Sequence, residues 1–197
     1  MANPNAPKGF VPVKHLNGSP FNGAGQICFI PSSDGNATFV GDVVKLALPA
    51  AADPLGYGCP VVTVAGATDV PYGVVIGADP VLGVTTPNLY VNYRLASVGQ
   101  YVYVVNATDA IFAVQLDGAS AAADIGKNAN LATGTGNTVN GLSGYVLHSA
   151  SIATTNTLQW HILALSLVPQ GNALGSNFAV YEVVANIHAL AFSTAGV

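Results

Sequence analysis

The chain has 197 residues, of which 51% are hydrophobic and only 7% charged, and its formal net charge is −4. That length fits one large domain with ample core, and high hydrophobicity with so little charge excludes intrinsic disorder. The apolar runs are strand-sized, short of the roughly 18 residues of a membrane span, and no basic patch offers itself to nucleic acid.

Helix formers such as Lys, Glu and Gln are scarce, whereas Val, Gly, Thr and Asn abound. This predicts an all-β fold, a β-barrel or jelly-roll-like sandwich with an extended N-terminal arm and long loops. Soluble domains average about 25% charged residues. A chain so poor in charge tends to associate, which points to an assembly that hides part of its surface.

In chain order, residues 1–25 are rich in Pro, Gly and Asn and read as the extended arm. Its anchors are Phe10, Val11, Val13, Leu16 and Phe21, packed on its own domain or on a neighbouring subunit. Residues 26–197 read as a single β domain. Strands are expected over 26–30, 39–48, 60–65, 72–78 and 89–94, separated by turns such as PSSDG at 31–35. A hairpin follows, with arms at 101–105 and 111–116 and a loop at 106–110. Both faces of these arms are apolar: Tyr101, Tyr103 and Val105 oppose Val102 and Val104, and Phe112, Val114 and Leu116 oppose Ile111 and Ala113. Such a hairpin needs two covers, one of them another sheet or another chain. One helical turn is expected over 120–125, ending at Gly126. Residues 127–157 read as a polar, loop-rich insertion with short strands at most, a long loop or a small subsheet, exposed and bearing interactions. Two long strands, 158–168 and 178–190, close the domain.

No catalytic set is visible, so a non-enzyme without cofactor is expected. His15, His148, His161 and His188 lack metal-ligand spacing, although His161 and His188 lie on the two closing strands. Most acids adjoin Gly or Pro, as turn residues do (Asp34, Asp42, Asp53, Asp79, Asp117), and Glu182 stands alone on a strand. There is no G-x-S-x-G, and Gly134-Thr-Gly136 lacks the Lys and helix of a phosphate loop. Cys28 and Cys59 are too few for a disulfide framework and read as buried small hydrophobes. Tyr57, Tyr72, Tyr90, Tyr93, Tyr101 and Tyr103 leave open a sugar-stacking role, or equally a subunit interface. No secretory signal is read at the N-terminus.

Several stretches resemble a family of virion proteins. KGFVPV at 8–13, LNGSP at 16–20, PSSDG at 31–35 and FVGDVV at 39–44 are similar to segments of tailed-phage and prophage capsid decoration, or cement, proteins. So are YVYV at 101–104, FAVQLDG at 112–118, DIGKNANL at 124–131 and TGTGNT at 133–138. The resemblance covers most of residues 8–190 and rests on turn and strand signatures. It implies a structural protein on the outer capsid surface, a homotrimer bridging major capsid protein subunits, with no catalytic residues to carry over. The alternative is a carbohydrate-binding tail or adhesin module of a virion. The residues expected to carry subunit or capsid contacts are Phe10, Val11, Val13, Leu16, Tyr101 and Tyr103.

Overall fold

The computed structural model describes residues 3–47, 53–79, 92–168 and 172–191. In chain order the strands are β1 (Val11–His15), β2 (Gln26–Ile30), β3 (Val43–Leu46), β4 (Val62–Val64), β5 (Gly73–Ala78), β6 (Gln100–Asn106) and β7 (Ala110–Gln115). They continue with β8 (Asn128–Ala129), β9 (Leu131–Ala132), β10 (Val146–Leu147), β11 (Trp160–Leu165) and β12 (Val180–Ala185). The expected helical turn is a single 3-10 turn over Ala122–Asp124. Of the strand expected over 89–94, residues 89–91 lie outside the described residues, and Arg94 forms a single bridge to Thr38.

The chain forms a two-sheet antiparallel sandwich, and no barrel closes. The first sheet runs β1-β7-β12-β11-β8 and the second β2-β6-β5-β3-β4, with β9 and β10 as a small ribbon. The main core lies between the sheets. Phe112, Val114, Trp160, Ile162, Tyr181 and Val183 of the first sheet meet Val43, Val74 and Val105 of the second, with Leu131 and Leu147 of the ribbon beside them. At roughly 1.5–3 kcal/mol for each large apolar side chain buried, this layer is the main stabilising term.

The predicted hairpin is not a hairpin. β6 pairs with β2 and β5, whereas β7 pairs with β1 and β12. Each strand already has two ladder partners in its own sheet, so none remains for the other. Residues 106–110 therefore form an arch from one layer to the next, with Ala107 and Ala110 fully buried. The arch is held by the Ala107 N–H donating to the Tyr72 carbonyl at 3.0 Å and the Leu16 N–H donating to the Asp109 carbonyl at 3.3 Å.

The two apolar faces of β6 are both covered within the chain. The second sheet curls until its edge strands touch at one bridge, Phe29 with Val61, where the Phe29 N–H donates to the Pro60 carbonyl at 2.9 Å. The concave face so enclosed is a second core of Cys28, Ile30, Val44, Val62, Val75, Val102 and Val104. Val105, on the convex face, packs against the first sheet. After β12 the chain crosses to this curled end, where the Ala189 N–H donates to the Pro71 carbonyl at 2.8 Å.

The arm is part of the sandwich: β1 is the edge strand of the first sheet, and Phe10 stacks on Trp160 with ring centroids 4.4 Å apart. The chain passes so close to Gly41 here that a Cβ on Gly9 would lie 2.4 Å from the Gly41 carbonyl oxygen. Of the two readings of residues 127–157, the small subsheet forms, as the β9-β10 ribbon, and the segment is partly buried. Leu131, Ser143, Tyr145 and Leu147 are buried, whereas most of residues 133–140 and all of 154–157 stand in solvent. The polar composition there serves turns and hydrogen bonds to backbone: Asn128 donates to the Thr155 carbonyl, and Asn130 accepts from the Gln159 N–H.

Candidate interaction surface

The outer face of the first sheet carries an apolar groove of about 430 Å³, floored by Val11, Val13, Ala113 and Val180 and walled by Leu167, Val168 and Phe178. Side chains directly opposite one another on paired strands share a face. Val11 faces Ala113, which faces Glu182, while Pro12 faces the core residue Phe112. Unbroken alternation would then place Lys14 on the core side with Pro12. A bulge between Pro12 and Lys14 sets Lys14 opposite Ile111 instead, on the outer face. From there the Lys14 ammonium reaches the Glu182 carboxylate at 2.7 Å. That pair offsets its own charges at the rim of the groove, which Lys8 also lines. A similar irregularity at Leu163 keeps Ile162 and Leu165 inward while Ala164 faces Glu182.

Residues 3–9 lie along the groove as a strap. The Gln115 side chain accepts from the Ala6 N–H at 3.1 Å and donates to Asn5 Oδ1 at 2.9 Å. Asn172 accepts from the Asn3 amide at 3.0 Å and donates to the carbonyls of Ser166 and Val180, both at 2.8 Å. Composition alone hides both clamps, since Gln and Asn read as ordinary surface residues. The Leu167-Val168 pair had a legible signal: it continues an apolar run beyond the last paired residue of β11, straight into Pro169.

The six residues expected to make contacts separate by burial. Val11 is 41% exposed, Val13 36% and Leu16 53%, and the first two lie in the groove. Phe10 and Tyr101 are enclosed by their own chain. Tyr101 lies against Phe29 and Tyr57, and its hydroxyl accepts from the Leu55 N–H at 3.2 Å. Neither presents surface to a partner, because the space beside each is filled by its own fold. Tyr103 is half-buried and donates to Asp79 Oδ2 at 2.9 Å. That bond, followed by burial, raises its pKa above the ordinary phenol value.

A second, more polar cleft of about 610 Å³ opens between residues 35–37 and 133–136, beside Phe39, Asp42 and Tyr145. Phe39 stacks on Tyr93 with centroids 4.7 Å apart. Asp42 is buried, and its carboxylate accepts from the Phe39 N–H at 2.8 Å. Burial pushes its pKa up to about 6, against the pull of Ser143 and that N–H. In sequence Asp42 reads as a turn acid beside Gly41. It does close a turn, its N–H donating to the Phe39 carbonyl, but in the interior. Of the tyrosines considered for sugar stacking, Tyr72 and Tyr101 are buried and Tyr57 is exposed; Tyr90 lies outside the described residues.

Among the described residues no three His, Cys, Asp or Glu side chains converge as a metal site. His161 sits against Asn128 at 2.6 Å, and His148 against Asp117 at 2.7 Å. Cys28 and Cys59 are both free thiols. Among the described residues no helix is long and apolar enough to cross a membrane. The fold thus defines an all-β sandwich with an apolar groove on one outer face. Compared with protein-family models, curated proteins and solved structures, the chain matches none.

Proposed function

We propose that this chain is a structural, non-catalytic virion protein. It decorates the outer capsid surface as a homotrimer and braces major capsid protein subunits through the outer face of its first sheet. The observation that carries the reading is the open apolar groove in a chain with only 7% charged residues. Its flanking residues Leu167 and Val168 are 87% and 74% exposed. The sheet edges are poor sites for association. β2 and the start of β4 cover each other, β1 carries Pro12 and is flanked by the bridge from Lys14 to Pro20, and the two-residue β8 is flanked by Ala153. Association through a face is the remaining route. Burial of apolar area at about 25 cal/mol per Å² favours it, and repetition over a trimer multiplies weak single contacts.

The test is cosedimentation with capsids that lack the protein, together with sedimentation of the protein alone. Replacing Val11 and Val13 by Ser should weaken capsid binding about tenfold per protomer. Thermal stability should hardly change, because both side chains already face solvent. Unchanged binding by the double variant, or a wild-type monomer that ignores capsids, overturns the reading. A second reading, glycan binding by an adhesin module, draws on the polar cleft with its stacked Phe39 and Tyr93 and on exposed Tyr57. Glycan-array signal that disappears on Tyr57→Ala or Phe39→Ala would favour it.

A further inference from the structure

The sequence holds three Asn-Gly steps, at Asn17-Gly18, Asn22-Gly23 and Asn140-Gly141. They form an internal comparison, because all three asparagines are exposed and adopt the same local turn. In each, the side-chain oxygen accepts the N–H two residues on: Ser19 at 3.0 Å, Ala24 at 3.1 Å and Leu142 at 3.0 Å. In each, the glycine takes positive φ: +87°, +81° and +70°. The steps differ in the glycine N–H. Gly18 donates to the His15 carbonyl at 2.9 Å and Gly141 to the Asn137 carbonyl at 2.8 Å. Gly141 is also buried, with the Asn92 side chain where its Cβ would be. Among the described residues the Gly23 N–H has no partner, and nothing lies within 4 Å of where its Cβ would stand.

We propose that Asn22 is a modification site, the place where the folded chain deamidates in water ahead of its two sister steps. Hydroxide removes the Gly23 N–H proton, and the nitrogen attacks the Asn22 side-chain carbonyl carbon. A new N–C bond closes a five-membered imide as the bond to the amide nitrogen breaks, and that nitrogen leaves as ammonia with a proton from water. Water then opens the imide at either carbonyl, leaving aspartate or isoaspartate. At Gly18 and Gly141 the same proton is held by a carbonyl, so deprotonation requires the loss of a hydrogen bond and a reorientation of the peptide. The loss of one such bond corresponds to about tenfold in rate. The product adds one carboxylate, taking the formal net charge from −4 to −5. It does so in the exposed link between β1 and β2, where an isoaspartate also lengthens the backbone.

The test incubates the intact folded protein in mildly alkaline buffer and follows each step by peptide mapping with mass spectrometry. A parallel sample is held in urea. Asn22 should convert about tenfold faster than Asn17 and Asn140 in the folded protein, and the three rates should converge in urea. Asn22→Gln should remove the early acidic species seen by isoelectric focusing. Equal folded rates at all three steps overturn the proposal, as does an inert Asn22 in the folded protein while the urea sample converts. The same rank order in urea overturns it too, because the fold would then not be the cause.

Discussion

Asp42 and Arg94 are buried for different reasons, and each has a measurable consequence. The Asp42 carboxyl has its pKa raised from 3.8 to about 6 by burial. Its protonated form is therefore favoured by folding, so stability should rise as pH falls from about 6 towards 4. The linkage is worth on the order of 3 kcal/mol. Asp69 and Asp117 work in the opposite sense. Burial opposes their ionisation, but bonds from Lys45 and the Gly66 N–H in one, and from Ser149 and His148 in the other, outweigh it and lower both pKa values. Their contribution is present above the ordinary carboxylate pKa and is lost as pH falls through their lowered values. Asp42→Asn should flatten the pH dependence between about 4 and 6 in urea titrations, and an unchanged slope would remove Asp42 as its source. Arg94, the only arginine, makes no ion pair within 4 Å among the described residues, although the Asp34 carboxylate is near enough to favour its charge. Its guanidinium donates to the backbone carbonyls of Val98, Asn36, Pro31 and Asp34. A lysine cannot span four acceptors from one nitrogen. Arg94→Lys should cost about 3 kcal/mol, seen as a lower denaturation midpoint at constant slope.

At the scale of elements, the strap and the arch carry the argument. Residues 3–6 are held to the first sheet mainly through Gln115 and Asn172. Gln115→Ala removes one clamp and should raise the open population of the strap about five- to tenfold. Trypsin cleavage after exposed Lys8 reports that population when opening is fast, and an unchanged cleavage rate would show that the strap does not depend on Gln115. The arch shows how far local pattern reaches. The alternation at 101–105 and 111–116 correctly marked two strands, and their apolar faces correctly called for two covers. The five-residue gap fits a hairpin loop and an arch equally well. Which one forms depends on hydrogen-bond partners far away in sequence, β2 and β5 for one arm and β1 and β12 for the other.

For the molecule as a whole, the proposed capsid contact depends on a face that neither sheet edges nor composition locate. Val11 and Val13 were legible as contact candidates because they sit in an apolar run with nothing local to bury it. Phe10, one residue earlier, looked the same, and strand alternation sends it inward onto Trp160. Leu167, Val168 and the Gln115 clamp carry no local sign of sharing one contact surface, because a groove is made by segments brought together from across the chain. The residue order by itself determined the β class, the approximate strand positions and the turns, since side-chain alternation and Gly, Pro, Asn and Asp chemistry act within a few residues. Only the tertiary structure decided which strands pair, that the second sheet curls round its own core, and that an apolar groove stays open on the first. Those outcomes rest on long-range hydrogen-bond ladders and on packing between layers, which no local window of the sequence contains.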